Sequence, residues 1–224
     1  MKIATIGIGN MARSLGGAWA EQGHEIYFGS REAARGQEAA DQVGAGTRGG
    51  DNAEAAAFGE VIFYTPRSLP SEVLGDTSGL AGKVLIDCGN RPIPKDKVFS
   101  LPETRSYCQQ IALDVPEVRV VKAFNTMAQE VFHHPPQTLR DSGQCVFVAG
   151  DDAEAKRVVS ELSDQLGFEP LDCGPLAHAW LLESAGDLIR YLIFTRKGPF
   201  ATYAVPTLPE TEAKYGGRQW STYS

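Results

Sequence analysis

The segment IATIGIGNMA, residues 3–12, joins a short apolar stretch to a glycine-rich turn and the start of a helical pattern. Ile3 to Ile6 predicts a strand, Gly7 to Asn10 a tight turn, and Met11 to Gln22 an amphipathic helix. A second strand is predicted from Glu25 to Phe28. This order is that of a βαβ unit, the element on which dinucleotide-binding folds are built.

The turn has the form G-x-G-x-x-A. Its first glycine permits the tight turn, its second lets the backbone approach a pyrophosphate, and the small third residue lets the helix lie close to the strand. The free N–H groups at the helix start then point at the anion. We therefore predict dinucleotide binding here, with a purely structural glycine turn as the alternative. The predicted binding residues are Gly7, Ile8, Gly9, Asn10, Met11 and Ala12.

The residues after the second strand favour NADP over NAD. An NAD site would place an Asp or Glu there to accept a hydrogen bond from the ribose 2′-OH. This chain has Gly29-Ser30-Arg31 instead, with Arg35 one turn further on. Ser30 can donate to a 2′-phosphate, and the two arginines supply charge-assisted hydrogen bonds. The alternative is that both arginines only solvate a loop.

The rest of the chain continues the alternation of strands and helices. We predict an α/β fold: a Rossmann doubly wound, mostly parallel sheet at residues 1–144 that binds NADP, and a small C-terminal α/β lobe at residues 145–224. The last two dozen residues, rich in Pro, Thr and Tyr, predict a loop or tail. Further strands are predicted at Val61–Thr65, Val84–Asp87, Val118–Phe124, Cys145–Ala149 and Glu169–Asp172; helices are predicted at Ala53–Ala57, from Asp152 to about Leu166, and from Leu176 to about Arg196.

Composition excludes several classes of protein. The 224 residues carry a net charge of −7, which disfavours nucleic acid and anionic membranes as partners. Four widely spaced cysteines without a Cys-x-x-Cys pair predict reduced thiols and no zinc ribbon. The four histidines form no spaced constellation with carboxylates, so no metal site is expected. Because no apolar run reaches the length of a membrane span, we expect a cytoplasmic protein.

Several motifs together resemble a known family. They are the opening turn, Gly29-Ser30-Arg31, residues 121–126 (VKAFNT), Gly150-Asp151-Asp152, and residues 171–176 (LDCGPL). The combination is similar to NADPH-dependent reductases of the deazaflavin coenzyme F-420, and to the oxidoreductase domain of the six-transmembrane metalloreductases. The resemblance runs from Met1 to about Phe194.

The resemblance implies a flavin-like ring stacked on the nicotinamide in a cleft between the nucleotide-binding domain and the small lobe. It implies that Thr65 and Pro66 lie at the ribose and diphosphate edge, and that Asn125, Thr126 and Met127 border the nicotinamide. The chain departs from the family in its shorter first loop and in Arg67, where the family has an aromatic residue.

Two further residues are candidates on position alone. Asn90, after a predicted strand end, is placed to hold the nicotinamide ribose or to cap the next turn. His178 is the one histidine that we place near a substrate.

We therefore predict an oxidoreductase that transfers hydride between NADP(H) and F-420, FMN or FAD, a small-molecule acceptor. The alternatives are an NADP-binding sensor without turnover and a proline-type imine reductase. The apolar width of the last helix, with Trp180, Leu181, Leu188, Leu192 and Ile193 on its apolar side, and the family together predict a homodimer through it.

Overall fold

A computed structural model describes residues 1–96, 98–99, 106–196 and 202–206. In this part of the chain, nine strands form one sheet: β1 (Lys2–Ile6), β2 (Glu25–Ser30), β3 (Arg48–Asp51), β4 (Val61–Tyr64), β5 (Val84–Asp87), β6 (Arg119–Lys122), β7 (Gln144–Gly150), β8 (Glu169–Asp172) and β9 (Tyr203–Ala204). The order is β3-β2-β1-β4-β5-β6-β7-β8, and β9 pairs with β7.

Strands β1 to β6 pair in parallel, whereas β7 runs antiparallel to β6 and to β9 and parallel to β8. The first six strands have the order 3-2-1-4-5-6, which is that of the Rossmann fold. The predicted fold class, a doubly wound and mostly parallel α/β sheet, is confirmed. The β6–β7 pairing carries the sheet from the first predicted domain into the second, and the division at residue 144 stays a prediction.

Helices cover both faces of the sheet. They are α1 (Asn10–Glu21), α2 (Ala33–Val43), α3 (Asn52–Phe58), α4 (Pro70–Leu74), α5 (Tyr107–Asp114), α6 (Pro136–Asp141), α7 (Ala153–Gln165) and α8 (Ala179–Arg196). Successive strand residues belong to separate hydrophobic clusters: Ile3 packs with Trp19 of α1, while Ala4 packs with Ala55 of α3 and Ile111 of α5. The central strands β1, β4 and β5 are thus buried on both faces, as a parallel sheet requires.

One sequence-based expectation about the C-terminal part was wrong. Tyr203 and Ala204 form strand β9 and not part of a loop, because β7 offers them an unpaired edge. The rest of that tail, at 207–224, lies outside the described residues. The exposed side of α8 carries Trp180, Leu181 and Leu188, three of the residues predicted to form its apolar side. Its buried residues are Ala179, Leu182, Gly186, Asp187 and Ile189.

None of the described helices has both the length and the apolar character needed to cross a bilayer.

Candidate functional site

The turn after β1 opens onto a cavity at the carboxyl edge of the sheet. Gly7 has φ of +95°, a conformation that favours glycine, and a Cβ there would overlap the Thr65 hydroxyl. Gly9 has ordinary extended angles, and a Cβ on it would meet no atom within 4 Å. A side chain at position 9 would therefore be tolerated by the protein itself. The absence of one leaves room for a ligand to approach the backbone.

Helix α1 begins directly after Gly9, a lining residue of this cavity, and its first N–H groups have no acceptor within the helix. Its first hydrogen bond runs from the Arg13 N–H to the Gly9 carbonyl, at 3.1 Å. The amides of Asn10, Met11 and Ala12 therefore have no intrahelical acceptor. No acidic residue lies in the first turn of this helix, so its positive end is not neutralised locally.

Eight of the fifteen residues predicted to bind the cofactor line one cavity of about 380 Å³. It lies between the ends of β1 and β4, where the strand order reverses and open α/β sheets bind ligands. These eight are Gly7, Ile8, Gly9, Ser30, Arg31, Arg35, Thr65 and Pro66.

Four cavity residues were not predicted from the sequence, and one of them is the apolar Val73. Glu32 adds a carboxylate beside Arg31 and Arg35, and Ser68 adds a hydroxyl. Asn52 is buried, and its Oδ1 has no hydrogen-bond partner in the described part of the chain. Such an orphaned acceptor in a cavity wall fits a polar ligand. Position could have suggested Asn52, since it directly follows the Asp51 cap of α3 at a strand end.

The other predicted residues lie elsewhere. Ala12 is fully buried in the core, and Met11 is partly buried against it. Asn10 accepts a hydrogen bond from Arg13 at 2.9 Å and lines a neighbouring cavity with His133. Their side chains are thus outside the first cavity, whose lining in this turn consists of Gly7, Ile8 and Gly9.

Asn90 and Asn125 form a reciprocal pair across the ends of β5 and β6. The Asn90 amide donates to the Asn125 carbonyl at 2.7 Å, and the Asn125 amide donates to Asn90 Oδ1 at 3.0 Å. The Asn125 amide also donates to the Leu182 carbonyl of α8 at 2.7 Å. Helix α8 approaches this closely because Gly186 has no Cβ; one would overlap Asn90 Oδ1 and lie 3.0 Å from the Asn125 amide nitrogen.

The backbone before Asn125 is strained. Phe124 has φ of +59°, which costs a bulky residue on the order of 1–3 kcal/mol. Its ring is fully buried, with edge contacts to Trp19 and Phe132 at centroid distances of 5.7 and 6.2 Å. This packing holds the turn that aims Asn125 at its partners. Thr126 and Met127 follow, both buried, and Thr126 Oγ1 has no partner among the described residues.

A buried lysine ties the same region together. The Lys122 ammonium lies 2.8 Å from Asp87 Oδ2 and 3.1 Å from Glu183 Oε1, and it also donates to the Gly89 carbonyl. Burial acts to lower the pKa of Lys122, but the carboxylates of Asp87 and Glu183 outweigh it and raise that pKa. Burial raises the pKa of Glu183.

This triad was not predicted as a unit. Asp87, Cys108 and Glu183 place potential metal ligands within 4.8 Å of one another, yet the ammonium already supplies the positive charge between the two carboxylates.

His178 directly precedes α8, four positions before Leu182. It is exposed in the 3₁₀ turn before the helix, and its Nδ1 is 2.6 Å from the Cys173 carbonyl. Its predicted role near a substrate stays a prediction. The four cysteines are free thiols, as predicted.

Several known proteins resemble this chain in sequence and in fold. The family model described as "NADP oxidoreductase coenzyme F420-dependent" matches residues 2–91. The F420-dependent NADP reductase of Methanocaldococcus jannaschii is 29% identical over 213 residues, covering 84% of this chain and 91% of the reductase. A crystal structure of a putative F420-dependent NADP reductase from Arthrobacter sp. FB24 superimposes with a TM-score of 0.74 at 26% identity, covering 92% of this chain and all of that one.

The chain is thus similar to F420-dependent NADP oxidoreductases, through the family model over residues 2–91 and through relatives that it matches over most of their length. Its family resemblance, its class as an NADP-dependent oxidoreductase and NADP(H) as its cofactor are thereby confirmed.

The chain is also similar to part of a longer protein. The rat metalloreductase STEAP3 is 34% identical over 184 residues, which are 82% of this chain but 36% of the metalloreductase. The chain thus spans about a third of that relative. An imine reductase from Myxococcus stipitatus in complex with NADP⁺ superimposes with a TM-score of 0.63 at 16% identity, a likeness of fold alone.

Proposed function

We propose that this chain binds NADPH across the carboxyl edge of its sheet and passes a hydride to a flavin or a deazaflavin such as F-420. The observation that carries the proposal is the shared cavity at the β1–β4 switch point. There the bare Gly9 backbone and the start of α1 stand beside Ser30, Arg31 and Arg35. This set suits a diphosphate and a 2′-phosphate at the two ends of one adenosine.

Different groups of the chain would bind different parts of the cofactor. The α1 amides would hold the diphosphate, while Thr65 and Pro66 border the sugar next to it. The orphaned Asn52 Oδ1 is an acceptor for a hydroxyl or amino group of the adenosine. Asn90, with Asn125 to Met127, would border the nicotinamide, and the Leu182 carbonyl of α8 keeps that edge closed.

The proposed hydride transfer requires little acid–base chemistry from the protein. Bound NADPH supplies a hydride, which the acceptor ring takes up together with a proton. The residues around Asn90 and Asn125 need only hold the two rings at contact distance and exclude water. The hydrogen-bonded contact between these loops and α8 provides a rigid wall for that purpose.

Arg31→Glu tests the cofactor assignment. We expect NADPH binding to weaken by roughly 2–3 kcal/mol, because an attraction to the 2′-phosphate becomes a repulsion, while NADH binding changes little. Arg48→Glu is the matched control, since Arg48 is exposed at the opposite edge of the sheet and pairs with Glu25 at 3.5 Å. Calorimetric titration of each variant gives the comparison, and an equal loss for both dinucleotides would refute the assignment.

Turnover distinguishes the alternatives. NADPH oxidation on adding F-420, FMN or FAD supports the proposed reaction. Stoichiometric NADPH binding without oxidation by any acceptor supports a sensor. Oxidation with a cyclic imine in place of a flavin supports an imine reductase, the class with which this chain shares its fold.

We also propose that a second copy of the chain covers the exposed face of α8. Trp180, Leu181, Leu188 and Tyr191 are each between 45% and 51% exposed on this helix. Exposed apolar area of this extent marks an interaction surface. We expect the wild-type protein to sediment as a dimer at micromolar concentration and Leu188→Glu to sediment as a monomer. A wild-type monomer would contradict the proposal.

A cytoplasmic location remains a prediction from the sequence.

A further inference from the structure

Three arginines converge beside the proposed nicotinamide edge; we name Arg67, Arg91 and Arg190 the arginine cluster. Arg67 directly follows Pro66 in the cofactor cavity, and Arg91 directly follows Asn90. Arg190 lies on α8 one turn after Gly186, the residue that contacts the asparagine pair, and its Nε donates to the Gly186 carbonyl at 3.2 Å. One helical turn is about 5.4 Å, so the cluster is adjacent to the place where an acceptor ring would lie.

One carboxylate serves this cluster. Asp187, 8% exposed, forms ion pairs with both Arg91 and Arg190. Arg67 has no acidic partner in the part of the chain that the structure describes. Three guanidinium groups therefore share a single negative charge, in a protein whose net charge is −7. Burial lowers the pKa of Arg190; Asp187 opposes this, while the positive charges of Arg67 and Arg91 add to it.

The arginine cluster also has hydrogen-bond donors without an acceptor among the described residues. Arg190 uses its Nε and both terminal nitrogens, on Gly186, Asp187 and the Arg91 carbonyl. Arg91 donates to Asp187 through Nε alone, and neither of its terminal amino groups has an acceptor among the described residues. The exposed Arg67 guanidinium, a fork of five donors, likewise has no acceptor there.

The ring of Phe99 lies 5.5 Å from the guanidinium carbons of Arg91 and of Arg190. Contact with a ring occupies the flat face of a guanidinium and leaves its N–H edges available, in the geometry that suits a phosphate or carboxylate.

We infer that the arginine cluster binds an anionic group of the hydride acceptor, a phosphate or carboxylate on the chain that extends from its ring. The inference rests on the proposed function, because it places the acceptor ring between Asn90 and α8. The inference adds a substrate preference to the proposed function: among acceptors with the same ring, those with an anionic side chain are preferred. Arg67 contributes the specificity, since Arg91 and Arg190 are already tied to Asp187.

FMN and riboflavin test this directly, because they share one ring and differ by a phosphate. We expect kcat/KM with NADPH to be about tenfold higher for FMN than for riboflavin, the effect of one or two charge-assisted hydrogen bonds. Arg67→Gln should lower the FMN value about five- to tenfold and leave the riboflavin value within about twofold. Arg157→Gln is the control of equal charge change, on the exposed side of α7 with Glu154 and Glu161.

Two binding measurements separate the outcomes. Fluorescence titration of FMN and riboflavin into the NADP⁺-saturated protein reports the preference without turnover. If FMN binds preferentially but neither flavin oxidises NADPH, the proposed reaction fails and the arginine cluster stands. Equal affinity and equal turnover for the two flavins would overturn the cluster's role while keeping the reaction. A loss of NADPH affinity in Arg67→Gln without acceptor would also overturn it, since the cluster would then hold the cofactor.

Discussion

Replacing Gly9 by alanine should impair dinucleotide binding and leave the fold intact. The backbone of Gly9 has φ −67° and ψ 178°, angles that alanine adopts freely, and the added Cβ would meet no protein atom within 4 Å. We therefore expect the free energy of unfolding to change by no more than about 0.5 kcal/mol. The methyl group would instead occupy the space through which a diphosphate oxygen reaches the α1 amides.

Hydrogen bonds to a charged group contribute about 1.5–3 kcal/mol each. Losing one of them raises the Kd for NADPH by about ten- to a hundredfold. Isothermal titration with NADPH measures this loss, and urea unfolding of the same sample measures stability.

Gly7→Ala is the matched comparison, two residues away in the same turn. Alanine at φ +95° costs about 1–2 kcal/mol, and overlap with the Thr65 hydroxyl adds about 1–3 kcal/mol. This variant should thus lose about 2–5 kcal/mol of stability. The reasoning is refuted if Gly9→Ala unfolds as readily as Gly7→Ala, or if it binds NADPH with wild-type affinity.

Glu32→Gln should tighten NADPH binding about two- to fivefold at low salt with no change for NADH, because a carboxylate leaves the 2′-phosphate side of the cavity; unchanged titrations would show that Glu32 points away. Lys122→Met should cost about 3–5 kcal/mol in urea unfolding, since it strands two buried carboxylates, and a loss below about 1 kcal/mol would disprove the buried pairing. Burial and the hydrogen bond to Glu54 raise the pKa of Tyr27 to about 12 from 10.0. The folded state therefore holds the phenol proton more tightly, a stabilisation fully present below pH 10 and lost as pH rises toward 12. The stability difference between wild type and Tyr27→Phe should accordingly shrink over that window; a constant difference would exclude the effect.

The strands whose side chains are apolar were predictable, and those that depend on their neighbours were not. β1, β4 and β5 read as apolar runs because both of their faces are buried. β3 reads RGGD and has no apolar side chain, so its sequence carries no strand pattern. It forms because the edge of β2 offers a parallel ladder from Tyr27 to Ser30. β9 has the same origin at the edge of β7.

The site divides in the same way. The turn at Gly7 to Gly9 and the charged residues after β2 are local motifs, and the structure gathers them in one cavity. Glu32 directly follows Arg31 in the chain, whereas Asn52 reaches the cavity because α3 packs against β2. The contact of α8 with Asn90 depends on Gly186, almost a hundred positions away in sequence.

The buried ammonium has a consequence for how this lineage varies. With Asp87 and Lys122 fully buried and Glu183 nearly so, the loss of any one partner leaves an uncompensated charge in the interior, whereas replacing all three by apolar groups of similar volume is close to neutral. A single substitution at any of these three positions is thus strongly destabilising. Descendants should either retain the three residues together or have exchanged them as a set, so that positions 87, 122 and 183 covary although they belong to two strands and a helix distant in the chain.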